Sequence, residues 1–152
     1  MRYIIVGGVA GGMSAAARLR RVAEGAEIIV FERGEYISYA NCGLPYYIGD
    51  VIKERSNLLV QTVEGFRKRF NVDVRVRSEV IGIDRRNKEV IVRDLSSGKE
   101  YREKYDKLIL SPGATPIKPP IPGVDLENIF TLRDVADTDR IKNFVDTRKP
   151  KR

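Results

Sequence analysis

The chain opens on a short apolar, β-branched run, Tyr3-Ile4-Ile5-Val6, closed by glycines. Such a run reads as a buried strand of a parallel sheet. From Met13 to Ala23 the sequence is rich in alanine, and Ala15, Leu19, Val22 and Ala23 recur at helical spacing ahead of Gly25, which predicts a helix with one apolar face. Glu27-Ile28-Ile29-Val30-Phe31 is a second apolar run and ends at Glu32. Strand, helix and strand within about 30 residues make a βαβ unit, whose crossover is right-handed in nearly all cases.

Farther along, Thr62 to Phe70 has a helical pattern and Val72 to Val76 alternates as a strand. Glu79 to Ile83 and Val90 to Asp94 flank Arg85-Arg86-Asn87 as a hairpin, and Tyr105 to Leu110 reads as another strand. Ser111 to Pro116 ends that strand abruptly, and Pro119, Pro120 and Pro122 keep the following stretch extended. Asn128 to Leu132 is expected as one more short strand and Val135 to Val145 as a last helix. The tail from Thr147 to Arg152 reads as a linker. No internal repeat or low-complexity tract interrupts the pattern.

The 152 residues are 42% hydrophobic and 32% charged, a composition that supports one domain or one piece of a larger one. Four glycines break the apolar amino terminus, which argues against a secretory signal. The single cysteine, Cys42, excludes an internal disulfide framework and fits a reducing compartment, so the cytoplasm is expected, with no membrane. The absence of histidine removes the usual general base and the commonest metal ligand, and no metal site is expected. The net charge of +7 raises the question of nucleic acid. Its basic residues are scattered and follow no RNA-recognition, zinc-finger or helix-turn-helix pattern, so they read as solvated faces with no nucleic-acid partner.

The glycines after the first strand bear on chemistry. A Rossmann-type nucleotide site needs a tight turn there, with phosphates resting on unpaired N–H groups at the next helix's amino end. In Gly7-Gly8-Val9-Ala10-Gly11-Gly12 the first and third glycines of G-x-G-x-x-G fall on Gly7 and Gly12, while the second position is Val9. Gly8 and Gly11 are candidates to restore the close backbone approach. Glu32 stands at the end of the second strand, about 20 residues on, where an acidic side chain accepts ribose hydroxyls. The alternative is a surface carboxylate beside Arg33.

VGGVAGGMSAAARLRR, FER with its Glu32, SYANCGLPYYIGD and YDKLILSPGATP together resemble the flavin disulfide reductase superfamily. The likeness is strongest to its single-cysteine branch, typified by coenzyme A-disulfide reductase, with NADH oxidases and NADH peroxidases as near relatives. The resemblance implies an incomplete Rossmann-like, α/β FAD-binding domain with a central parallel sheet and an additional β-hairpin or antiparallel layer. Residues 1–146 would form the amino-terminal segment of a discontinuous FAD-binding domain. Residues 147–152 would form a truncated linker towards an NAD(P)H-binding domain outside this chain, which alone would not complete turnover. FAD would be the cofactor, NADH or NADPH the electron donor, and the full-length protein a homodimer.

By the same resemblance Gly7, Val9, Ala10, Gly11, Gly12, Glu32 and Arg33 would bind FAD. The backbone at Val80 would face the adenine, and Ser111, Pro112 and Gly113 would pass close to the cofactor. Cys42 would be the redox-active residue beside the flavin. Two-cysteine reductases carry a second cysteine five positions on, where this chain has Tyr47. Peroxide-reducing relatives commonly carry a histidine where it has Ala10. Both departures favour coenzyme A disulfide, or another small thiol or disulfide, as the substrate over oxygen or peroxide. Ser14, Arg18, Arg21, Ser38 and Asn41 match the branch's coenzyme A contacts, the arginines suiting its phosphates. Arg18 departs from the uncharged residue expected there. The alternatives are an exposed helix face for the arginines and a structural thiol for Cys42 in a nucleotide-binding module. A nucleophilic role requires a thiolate, with the start of a short helix over Leu44 to Ile48 and the flavin as helpers. Pro45 suits the first turn of that helix.

Overall fold

The structure, a computed structural model, describes residues 1–150. In chain order its regular elements are β1 (Arg2–Val6), α1 (Ala10–Val22), β2 (Glu27–Phe31), α2 (Leu44–Ile48), α3 (Val63–Phe70), β3 (Asp73–Arg75), β4 (Ser78–Asp84), β5 (Glu89–Asp94), β6 (Glu100–Lys104), β7 (Lys107–Leu110) and α4 (Val135–Arg148). Short 3-10 turns occupy Asn41–Gly43 and Arg55–Leu58. The chain divides into two compact units, Met1–Tyr39 with Val60–Gly113, and Ala40–Leu59 with the chain from Ala114 onwards.

In the first unit, a parallel sheet has the strand order β3-β2-β1-β7. Ile4 pairs with Ile29 and Leu108, and Val30 pairs with Val74. β1 and β2, at the centre of the sheet, read as apolar runs because both faces of the sheet are covered there. On one face Ile5, Ile28, Val30 and Val74 pack with Met13 and Ala16 of α1 and Phe66 of α3. On the other, Ile4, Ile29 and Phe31 meet Val90 and Val92 of β5. β5 is the centre of a separate antiparallel sheet, β4-β5-β6, so the expected combination of parallel sheet and antiparallel layer is present.

Local chemistry sets the element ends. Thr62 Oγ1 accepts the Gly65 N–H at 3.0 Å and caps α3, which stops at Asn71 in the left-handed region with φ +49°. Arg20 of α1 then donates to the Phe70 and Asn71 carbonyls at 2.8 and 2.7 Å, fixing α1 against the end of α3. In the β4–β5 turn, Asp84 Oδ1 accepts the Arg86 and Asn87 N–H groups, each at 3.1 Å.

In the second unit, α4 is capped by Asp134, whose Oδ1 accepts the Asp137 N–H at 2.9 Å. Arg55 holds Asp139 through two parallel hydrogen bonds of 2.7 Å. Lys142 joins Asp50 at 2.8 Å and lies 5.9 Å from the Tyr47 ring centroid, tying α4 to the end of α2.

Several expectations are corrected. α1 begins at Ala10, three residues before Met13, so Gly11 and Gly12 lie within the helix. Its buried residues are Gly12, Met13 and Ala16, whereas Val22, read as part of the apolar face, is 61% exposed. Asn128 to Leu132 is not a strand. The Ile129 N–H instead turns back to the Leu126 carbonyl, and the segment has no strand partner among the described residues. β6 escaped the sequence reading because EYREK is nearly all polar and only its alternate residues are half-buried. α4 runs to Arg148, past Val145 and through the first two residues of the expected linker, whose last two lie outside the described residues.

Ile29 is 1% exposed at the meeting of the two sheets. Ile29→Ala is expected to cost about 2–5 kcal/mol, as for other large-to-small changes in packed cores. Urea unfolding checks this, and a loss below about 1 kcal/mol would mean that the sheets do not share a packed interface here.

Candidate functional site

The turn between β1 and α1 is possible only without side chains at two positions. Gly7 adopts φ +101°, and a Cβ there would collide with the Ser111 carbonyl oxygen. A Cβ on Gly12 would collide with the Gly7 carbonyl oxygen and meet Ser111 Oγ at 3.0 Å. Ser111, directly after β7, sits against the turn by donating both its N–H (2.8 Å) and its hydroxyl (3.0 Å) to the Val6 carbonyl. α1 can therefore start immediately over the sheet, as the first and third fingerprint glycines require. Val9 is its N-cap, with a negative φ of −105°.

No side chain caps the amino end of α1 and no acidic residue stands in its first turn, where Ala10 and Gly11 are exposed. Such an end suits an anion. At the end of β2, Glu32 Oε2 accepts the Gly8 N–H and Oε1 the Gly34 N–H, both at 2.7 Å. The carboxylate thus sits beside the glycine turn and binds it. Gly8 permits this, because a Cβ there would lie 2.9 Å from Glu32 Cβ. Arg33 is exposed. Val80 is half-buried opposite Val92, at a register shift of the β4–β5 pair. Gly113, two residues beyond Ser111, has φ +74°. Pro112 between them is exposed. An uncapped helix end, a glycine turn and an adjacent carboxylate are the donor and acceptor set that fits a dinucleotide pyrophosphate and ribose.

Ser14, Arg18 and Arg21 lie on one exposed face of α1. Ser14 and Ser38 line one cavity of about 350 Å³ together with Tyr39, Gln61, Arg69 and Phe70. Arg18 and Arg21 are not among its lining residues. Ser38 is held in the left-handed region, φ +46°, by its N–H donating to the Gly8 carbonyl and its own carbonyl accepting the Val60 N–H, both at 3.0 Å. Such a conformation persists only where surrounding bonds fix it. Arg69 stands in the charged run Arg67-Lys68-Arg69, and no motif distinguishes it there in the sequence.

Asn41 and Cys42 belong to the second unit, where both are exposed in a 3-10 turn. The residues that follow hold the turn. Gly43 is buried so closely that an added Cβ would lie 3.2 Å from Leu58 and 3.3 Å from Ile52, and Leu44 is 2% exposed. Burial of Gly43 and Leu44 turns the thiol outward. Leu44 to Ile48 forms the expected short helix with Pro45 in its first turn. Tyr47, where a second cysteine would stand, packs beneath Lys142.

A family model for pyridine nucleotide-disulphide oxidoreductases matches residues 1–148. Coenzyme A disulfide reductase from Staphylococcus haemolyticus is 40% identical over 151 residues, 99% of this chain and 34% of the relative. The crystal structure of reduced Bacillus anthracis CoADR-RHD is 59% identical, with a TM-score of 0.96 over 98% of this chain and 27% of that one. A NAD-dependent persulfide reductase from A. fulgidus is 36% identical, with a TM-score of 0.91 over 97% of this chain and 28% of that one. The chain spans about a third of the length of the curated relatives it matches.

The glycine contacts yield a paired expectation. Gly12→Ala should lower the melting temperature by several degrees, because the start of α1 or the β7 end must shift. Gly25→Ala, with nothing within 4 Å of an added Cβ, should change it by less than about 2 °C. Equal responses would mean that the Gly7 to Gly12 approach is not a constraint.

Proposed function

The chain belongs to the pyridine nucleotide-disulphide oxidoreductase family, and from that premise we propose that it is the FAD-binding, cysteine-bearing part of an enzyme that reduces coenzyme A disulfide with NADH or NADPH. The observation that carries the reading is the exposed thiol of Cys42 in a turn fixed by buried neighbours, with Tyr47 in place of a second cysteine. A thiol so displayed exchanges with a disulfide from outside the chain.

In this reading the glycine turn, the amino end of α1 and Glu32 hold FAD, with Val80 and Ser111 to Gly113 along its path. Ser14 and Ser38 contact coenzyme A in their shared cavity, where Arg69 supplies a cation for its phosphates. Arg18, Arg21 and Asn41 are further contacts for the same substrate. The Cys42 thiolate attacks one sulfur of the disulfide. A bond forms between Cys42 and one coenzyme A, the original S–S bond breaks, and the other coenzyme A leaves as a thiolate that takes up a proton. Bound FAD supplies the route by which the two electrons of a hydride reach the mixed disulfide. The second coenzyme A thiol is then released and the Cys42 thiolate restored. The sum is NAD(P)H, one proton and one coenzyme A disulfide giving NAD(P)⁺ and two thiols. We assign the protein to the cytoplasm and to a homodimer, the lone free cysteine fitting a reducing compartment.

The test compares coenzyme A disulfide, oxygen and hydrogen peroxide as acceptors for the protein that carries this chain, with either nucleotide. Coenzyme A disulfide should be preferred, and Cys42→Ser should lower its reduction by about 10³-fold or more. Disulfide reduction that survived Cys42→Ser would refute the thiol mechanism, and preferential use of oxygen would refute the substrate.

A further inference from the structure

We infer that Arg75 is a positioning residue for dinucleotide binding, acting through Glu32; this rests on the FAD reading above. Glu32 can meet a ribose only if its backbone is fixed, and neighbouring backbone groups fix it from both sides. Its N–H donates to the Arg75 carbonyl at 2.9 Å, and its carbonyl accepts the Ser78 N–H at 2.9 Å. The preceding residue, Phe31, pairs with Arg75 in the parallel sheet. Only the side-chain torsions of Glu32 then remain to aim its carboxylate at Gly8 and Gly34.

The Arg75 side chain is held by the antiparallel sheet. Nη1 donates to Glu103 Oε1 of β6 at 2.7 Å and reaches Tyr101 Oη at 3.5 Å, while Nε donates to Asp73 Oδ2 at 2.8 Å. The guanidinium lies 5.4 Å from the Phe31 ring centroid and 6.0 Å from that of Tyr101. Glu103 is itself held from β1, its Oε2 standing 3.3 Å from Arg2 Nη1. Arg75 therefore links β6 to the strand end from which Glu32 projects. A guanidinium fork can serve several acceptors from one fixed position, which a lysine ammonium does less rigidly. No motif marks Arg75, and it is not a group that would touch the nucleotide.

The protein that carries this chain, stripped of flavin, is titrated with FAD, following flavin fluorescence, in its unmodified form and as Arg75→Met, Glu103→Gln, Glu32→Gln and the double variants. Melting temperatures and amide exchange at Gly8 without FAD are measured alongside. Arg75→Met and Glu103→Gln should each weaken FAD about tenfold and speed Gly8 exchange. In the Glu32→Gln background either should add less than about twofold, because coupled residues are non-additive. Equal weakening in both backgrounds would mean that Arg75 and Glu103 act independently of Glu32, and would overturn the inference. If Arg75→Met does not fold, Glu103→Gln, which keeps the Asp73 contact, carries the cycle. Failure of the unmodified protein to bind FAD would overturn the dinucleotide reading and this inference with it, whereas normal binding by the single variants would overturn the inference alone.

Discussion

Gly12 and the Gly7 carbonyl approach each other more closely than any side chain at Gly12 would allow. That approach determines where α1 begins, how near it lies to β1, and how Ser111 can close on the same turn from β7. If α1 started at Met13, its uncapped end would stand a turn farther along and the glycines would be a loose loop. Placing glycine inside a helix costs up to about 1 kcal/mol relative to alanine. Here the cost is accepted because two strand ends and a helix end share one small space. Val9 stands where the fingerprint has its second glycine and is the N-cap of α1 with a negative φ, while Gly8 makes the close approach to Glu32.

Legibility in the sequence followed burial. β1, β2 and β5 are readable because their apolar residues face a core on one or both sides, and period or continuity records that directly; in β4 only Val80 packs on the core, while Ile81 and Ile83 are exposed. β6 was not readable, since it is an outer strand whose half-buried positions include Glu103, a charged residue held by arginines from other strands. Asn128 to Leu132 misled for the opposite reason: it has apolar residues without a neighbouring strand to pair with. A strand is a relation between two segments, and composition records only one of them.

The site divided in the same way. Cys42, Glu32 and the glycines announced themselves through spacing and resemblance, and the structure shows the contacts that place them. Ser14 and Ser38 were named from separate stretches, and one cavity lined by both joins them. Arg69 and Arg75 were hidden because a chain with 28 basic residues gives no reason to prefer one of them. Only position distinguishes an arginine beside a cavity, or one reaching across two sheets, from its neighbours in a charged run.

Position also revises the meaning of the +7 charge. Basic residues first raise the question of a polyanion partner, and most arginines of the first unit are exposed, yet several are engaged within the fold. Arg20 serves the end of α3, Arg2 and Arg75 share Glu103, and Arg67 meets Asp73 and the Val74 carbonyl. Each uses its guanidinium to bind carbonyls or carboxylates of neighbouring elements. On α1 this separates three near neighbours. Arg20 is committed to α3, while Arg18 and Arg21 remain on the solvent face with Ser14. A basic composition here describes how strands and helix ends are fastened before it describes a ligand, and only cations outside that fastening remain available to one.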